Sequence, residues 1–393
     1  MSLSINDSPL PPRSARYMPQ LDGLRALAVF AVVWSHWMPE YSGGLPWGHF
    51  GVQLFFVLSG FLITGILLRE KPNPGDSRVP VLKQFFIRRA LRIIPAYSTI
   101  LAIAWLMDFN DTRATILWHA TYTTSIYLWL TKAFSPLSHF WSLSVEEQFY
   151  LIWPWVVLWS SPQMLLRIVI TMMIATPVFQ IVMQWLGPEI RPTALELLHL
   201  PQISSSLPWL SSETEPTVLM PAAADALGAG ALVGLAEYCQ DWKQTFRRVQ
   251  MLVCLPVFWI LQSDSCFRGV GLPGSAESIR ETAMVVTFSL IVSQASAGYR
   301  GPVGWLLSRP LLIGIGRISY GIYLIHNLTP HLVRGFFDWC SVGAEGLDGL
   351  HPGWRFILLW FTTLLLAMLS WVIVERPCLQ LKDRWKRENV SAQ

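Results

Sequence analysis

Residues 21–37 read LDGLRALAVFAVVWSHW and residues 51–68 read GVQLFFVLSGFLITGILL. Each approaches the ~20 apolar residues that a helix needs to cross the hydrocarbon core of a bilayer. Comparable stretches follow at about 93–107, 143–160, 164–186, 218–236, 249–262, 281–297, 311–331 and 354–374. Ten such spans account for about half of the 393 residues. The composition agrees: 52% of residues are hydrophobic and 14% charged, with a mean hydropathy of +0.41. A soluble protein carries roughly 25% charged residues. Twenty Trp and ten Tyr suit the membrane–water interface, where their rings gather. A soluble enzyme, a disordered chain and a disulfide-stapled secreted domain are excluded. The fold class expected is an all-α polytopic integral membrane protein.

Placement of charge sets the expected topology. With the N-terminus inside and ten spans, 21 of the 29 Lys and Arg residues fall in inner segments and seven in outer ones, with Arg317 inside a span. That asymmetry follows the positive-inside rule and puts both termini in the cytoplasm. The amphiphilic stretch 115–131 (TILWHATYTTSIYLWLT) is an eleventh span, a re-entrant segment or an interfacial one. Counting it as a span would reverse every later loop and expel the basic tail. The organisation expected is a cytoplasmic segment 1–20, a transmembrane unit 21–377 and a basic cytoplasmic tail 378–393. Residues 1–20 lack a convincing cleavage site, so the first span reads as a retained signal anchor. The longest outer loop, about 187–217, is rich in Pro and Ser and suits a lid or a segment that helps bind substrate. No basic block with interleaved aromatics points to nucleic acid. The five cysteines include no C-x-x-C, so neither a metal site nor a disulfide framework is expected. Cys266 and Cys340 are the one pair that outer loops could join.

Few charges remain that topology does not explain. Arg25 and His36 are eleven residues apart, three helical turns plus about 20°, so they share a face ~16 Å apart along the axis. Arg25 is a topological anchor or a functional cation. His36 is an interfacial residue or a general base, since its ordinary pKa of ~6.5 suits proton transfer near neutrality. Ser59-Gly60 allows close helix packing, and Ser59 would act as a nucleophile only beside a base. In KQFFIRRALRIIPAY, Arg88, Arg89 and Arg92 converge on one helix face, and Pro95 marks a break or a fresh start. Their planar guanidiniums suit phosphate, whether of a ligand or of lipid headgroups.

HFWSLSVEEQFYLIWPW opens the fourth span. Ser144-x-x-Glu147 has capping-box spacing, which leaves Glu146 unexplained. Either carboxylate could orient an imidazole or bind substrate hydroxyls, and His139 falls at the same outer mouth as His36. In RISYGIYLIHN, Ser319, Tyr323 and His326 share a face, with Arg317 and Tyr320 near the inner end. Such a face lines a protein interior or a cavity, because lipid would not tolerate it. Glu375 in WVIVERPC stands at a helix C-terminus, where the dipole disfavours a carboxylate. It calls for a cationic partner, and Pro377 is expected to end the helix.

Taken together, LDGLRALAVFAVVWSH, GV-x-LFFVLSGFLI, RRALRIIP, FWSLSVEEQFYLIWP, ISYGIYLIH and VERP resemble the acyltransferase-3 family of bacterial membrane O-acyltransferases, from about Gln20 to Pro377. The resemblance implies transfer of an acyl group, commonly acetyl, to hydroxyls of a glycan or small molecule. It also implies essential roles at Arg25 and His36, and donor handling by Arg89 and Arg92. One position departs: Gln53 stands where many members carry an acidic residue. Some members bear an extracytoplasmic SGNH-type domain, and this chain resembles the stand-alone form.

The expected reaction takes an acyl group from acyl-CoA, most simply acetyl-CoA, as co-substrate with no bound cofactor. His36, Arg25, Glu146 and Glu147 are the catalytic candidates, and Arg89, Arg92 and Glu375 the donor-binding ones. Tyr320, Tyr323, His326 and Ser59 are candidates to line the cavity or touch the acceptor. The acceptor expected is a cell-surface polysaccharide or lipid-linked glycan, with a macrolide-like molecule as the next choice. The location expected is the bacterial inner membrane, in contact with its lipids. A proton-coupled transporter or flippase would also carry intramembrane Arg, Glu and His, but the internal repeats common in transporters are absent. A structural scaffold for glycan assembly would tolerate substitution of Arg25 and His36.

Overall fold

Proline suits the first helical position, where its missing N–H has no partner to lose, and Pro19 opens α1 (Pro19–Trp37). The structure, a computed structural model, describes residues 17–109, 112–132, 135–198, 218–239, 275–340 and 346–380, with isolated positions between 242 and 252 and side chains from 280 within 275–340. After α1 come α2 (Trp47–Glu70), α3 (Val79–Met107), α4 (Thr112–Ala120), α5 (Thr124–Thr131), α6 (Phe140–Trp159) and α7 (Pro162–Leu197). They are followed by α8 (Ala224–Tyr238), α9 (Ser275–Ala297), α10 (Gly301–Leu307), α11 (Pro310–Arg317), α12 (Ser319–Ile325), α13 (Thr329–Trp339) and α14 (Pro352–Ser370). Among the described residues there is no strand.

By length and composition, α2, α3, α7 and α14 with its continuation to Gln380 can each cross a membrane. Residues 280–297 and 301–307, bent by 83°, make a further broken span or re-entrant pair. Large apolar side chains such as Trp155, Ile174, Trp305, Leu311 and Phe361 cover the outside. An apolar exterior around a polar-lined interior is what lipid demands. The chain is a multi-pass, all-helical membrane protein.

The centre of the bundle is α2, packed on α1 and α8. Gly60 and Gly230 set the α2–α8 spacing: a Cβ on Gly60 would collide with the Leu227 carbonyl, and one on Gly230 with the Val57 carbonyl. Small residues let backbones meet in this way where water supplies no driving force between helices.

Several expectations change. The helix at 93–107 begins at Val79 and runs through Pro95 without a break, with the Ser98 and Thr99 hydroxyls donating to the Ile94 and Pro95 carbonyls. Side-chain hydroxyls of this kind allow proline inside membrane helices. Residues 187–197, expected in a loop, extend α7 through Pro188 and Pro192. At 36 residues α7 is ~54 Å long, well beyond the ~30 Å hydrocarbon core. The capping box is not formed: α6 starts at Phe140, and Ser144 donates to the Phe140 carbonyl one turn inside. Pro377 does not end the last helix, which passes through a π-helical turn at Trp371–Glu375 and continues to residue 380. The single span expected at 311–331 is divided among α11, α12 and α13. Stretch 115–131 is two short helices, α4 and α5, joined by a turn. All but two positions of the expected span 249–262, residues 199–217, Cys254, Cys266 and the tail from 381 lie outside the described residues, and Cys340 is a free thiol.

Candidate active site

Every third or fourth residue of α6 turns the same way, and Ser142, Glu146 and Tyr150 form one stripe. It faces α2, which presents Val52, Phe55, Ser59 and Leu62. Between them, and closed by α1, α3 and α12, lies a cavity of about 810 Å³ including its mouth.

Arg25 from α1, Arg89 and Arg92 from α3, and Glu146 and Glu147 from α6 all line it. Three guanidiniums thus face two carboxylates. Glu146 is attracted by all three arginines, while Arg25 and Arg89 repel Arg92. Along the wall the guanidiniums outnumber the carboxylates by one, while Asp22 and Glu375 also attract Arg92. Arg89 stacks over the ring of Tyr150, with its guanidinium carbon 4.8 Å from the centroid, an arrangement that holds a cation without neutralising it.

Ser59 ties the carboxylate to the tyrosine. Its Oγ donates to Glu146 Oε1 over 2.5 Å and accepts from Tyr150 OH over 2.9 Å. Two wall atoms, Arg25 Nε and Ser319 Oγ, are buried without a hydrogen-bond partner. Buried polar groups are rarely left so, and a ligand group in the cavity would satisfy them.

Above this cavity sits a cluster of imidazoles. His36 Nδ1 and His326 Nε2 are 2.8 Å apart, and His139 lies edge-on to His326 with ring centroids 4.7 Å apart. His139 and His326 are buried, while His36 is exposed. Tyr323 joins the two regions. Its OH bonds with Ser142 on the cavity wall over 2.5 Å and donates to the His139 carbonyl over 2.9 Å. The cavity reaches from the level of Arg25 out to Val52, beside Gly51. Gly51 packs on Ala28 and Val32 of α1. Val32 is four residues below His36, about one helical turn.

A family model described as an acyltransferase domain matches residues 18–376. The chain belongs to the acyltransferase-3 family. It is 29% identical to the peptidoglycan O-acetyltransferase OatA of Listeria monocytogenes over 398 residues, covering 93% of this chain and 56% of that protein. The putative peptidoglycan O-acetyltransferase YrhL of Bacillus subtilis is 28% identical, with 92% and 55% covered. A putative O-acetyltransferase of Staphylococcus aureus, SAS0844, is 26% identical, with 93% and 58% covered. The chain spans a little over half the length of these relatives. No solved structure matches it.

This acyltransferase-3 chain gathers most of its expected site residues. Arg25, Ser59, Arg89, Arg92, Glu146, Glu147, Tyr320 and Tyr323 share one cavity. His326 does not line that wall and instead meets His36. Glu146, a candidate to orient His36, is bonded to Ser59. Glu375 is buried behind the wall, accepts from Ser370 over 3.3 Å and is attracted by Arg92 rather than the adjacent Arg376. Gln53 is buried with its amide oxygen unpartnered, off the cavity wall. Tyr150, Ser142 and Asn327, which donates to His139 Nδ1 over 3.1 Å, were not singled out from sequence. For Ser142 and Tyr150 the signal was present, since each lies one turn from Glu146.

Proposed function

We propose that this chain transfers an acyl group, most simply acetyl, from acyl-CoA to a hydroxyl of a cell-envelope glycan. The cavity carries the reading: an arginine-lined pocket walled by Arg25, Arg89 and Arg92 that rises to within about one helical turn of an exposed histidine. The relatives named as peptidoglycan O-acetyltransferases make peptidoglycan the first acceptor to try. In this reading the catalytic unit is 21–377, with ten spans and both termini in the cytoplasm of a bacterial inner membrane. The 21-to-7 distribution of Lys and Arg supports that topology.

Arg89 and Arg92 attract the donor's phosphates at the inner side through charge-assisted bonds. The thioester arm extends up the cavity toward His36. His36 takes the proton from the acceptor hydroxyl as its oxygen bonds to the acyl carbon. The C–S bond then breaks and the departing thiolate receives the proton. Arg25 stabilises the negative charge that develops on the acyl oxygen, as fixed donors in a dry site do. Glu146, held by Ser59, offsets the repulsion among the guanidiniums, Glu147 is free to hold substrate hydroxyls, and Glu375 balances Arg92. Tyr320 and Tyr323 shape the passage.

The test uses purified chain and labelled acetyl-CoA with no imposed ion gradient. Turnover that is lost in His36→Ala supports the reading. Turnover that requires a gradient would favour a transporter, and full activity in His36→Ala would remove the catalytic assignment.

A further inference from the structure

His36 has one polar partner among the described residues, and that partner decides which of its nitrogens is left for chemistry. Tyr323 supplies one of the last four carbonyls of α12, which lack an intrahelical donor. His326 Nδ1 lies 2.7 Å from this carbonyl oxygen. A carbonyl only accepts, so His326 Nδ1 carries the N–H. A neutral imidazole has one N–H and one lone pair, and the lone pair therefore sits on Nε2. Nε2 is 2.8 Å from His36 Nδ1, so His36 must donate from Nδ1. That leaves the lone pair of His36 on Nε2, in a ring exposed at the outer end of α1. The two ring centroids are 5.0 Å apart with planes 22° apart, so the rings meet edge to edge along this bond, and His139 closes the other side of His326. The buried ring has little room to turn.

We propose that His326 is a positioning residue that holds His36 as the Nδ1–H tautomer, so that Nε2 is the atom that removes the acceptor's proton. The proposal rests on the acyl-transfer reading given above. In the step, Nε2 takes the hydroxyl proton while the hydroxyl oxygen bonds to the acyl carbon. The charge formed on His36 is stabilised through its Nδ1–H bond to His326. Nε2 then returns the proton to the thiolate released when the C–S bond breaks. His326 gains and loses no proton. The division of α11, α12 and α13 acquires a purpose here, because ending the helix at Ile325 frees the carbonyl that orients His326.

The choice of imidazole nitrogen by its hydrogen-bond partner is a general property of histidine, and its loss is read in kcat rather than in donor binding. The test compares membranes with matched amounts of wild type, His326→Phe, His326→Gln, His326→Asn and His36→Ala, supplied with labelled acetyl-CoA. The readouts are the maximal rate of label transfer and the acetyl-CoA concentration at half-saturation. Phe keeps the ring but offers no lone pair, and its rate should fall on the order of 100-fold at unchanged half-saturation. The Gln amide reaches the Nε2 position and should restore most of the rate. The Asn amide reaches only the Nδ1 position and should not. Wild-type rate in His326→Phe, or equal rates for Gln and Asn, with His36→Ala inactive, overturns this inference alone. Full activity in His36→Ala overturns the acyl-transfer reading and this inference with it. If the Phe variant does not accumulate, the order of Gln above Asn decides.

Discussion

Ser59 on α2 and Glu146 on α6 are 87 residues apart in sequence, and the bond between them can be measured without knowing the acceptor. Ser59→Ala removes two bonds, the charge-assisted one to Glu146 and the one from Tyr150. A hydrogen bond to a charged group contributes about 1.5–3 kcal/mol and a neutral one about 0.5–1.5 kcal/mol. If the whole loss is felt in the transition state, the rate falls by a factor between roughly 30 and 2,000. Glu146→Gln keeps the volume and an acceptor oxygen but removes the charge that faces three guanidiniums. In the double variant the charge-assisted share of the Ser–Glu bond is lost only once. The two effects should therefore fall short of additivity by about 1–1.5 kcal/mol, the difference between a charged and a neutral bond. The assay is initial transfer from labelled acetyl-CoA in membranes at matched protein levels, repeated as a cycle of thermal stabilities in detergent. Additivity within about 0.5 kcal/mol in both cycles would refute the claim that this bond organises the cavity.

Arg92→Gln should raise the acetyl-CoA concentration at half-saturation by about tenfold, the loss of roughly 1.4 kcal/mol of charge-assisted binding, with a smaller change in maximal rate; an unchanged half-saturation would detach Arg92 from the donor. Gly230→Val should lower the thermal midpoint in detergent sharply, because its side chain meets the Val57 carbonyl and overpacking costs about 1–3 kcal/mol or more. Gly314→Ala, at a helical site with open space around it, serves as the tolerant control. Lys71 Nζ donates to the carbonyls of Val157 and Ser160 at the end of α6, and burial together with Arg78 holds its ammonium below the ordinary lysine range. Lys71→Met should destabilise the fold by about 1 kcal/mol and leave half-saturation by acetyl-CoA unaltered.

Charge scarcity made the candidate cavity readable. In a chain with 14% charged residues, Arg25, Arg89, Arg92 and the Glu146–Glu147 pair stand out against apolar helices, and all five meet in one pocket. The helical class was equally legible, because apolar length alone specifies it. Helix ends were not. Proline reads as punctuation in a soluble chain, yet Pro95, Pro188 and Pro377 lie inside helices here, since lipid penalises an open backbone more than a local adjustment. The Ser144–Glu147 spacing misled for the opposite reason. A capping box is recognised from four residues, and the true start at Phe140 depends on packing that those four do not record. The partner of His36 is 290 residues away. Periodicity places His326 on a polar face with Ser319 and Tyr323, and one turn beyond Tyr323 that face has passed the cavity and meets His36 of α1. No pattern within one segment carries that information.

The central claim is that this chain places acyl esters on an envelope glycan and needs His36 to do so. Mass spectrometry of envelope glycans from a strain lacking the gene, and from that strain carrying either wild type or His36→Ala at equal membrane levels, tests it directly. The account predicts acyl-ester mass increments with wild type and their loss in both other strains. The same increments in the His36→Ala strain, or in the strain lacking the gene, would contradict it.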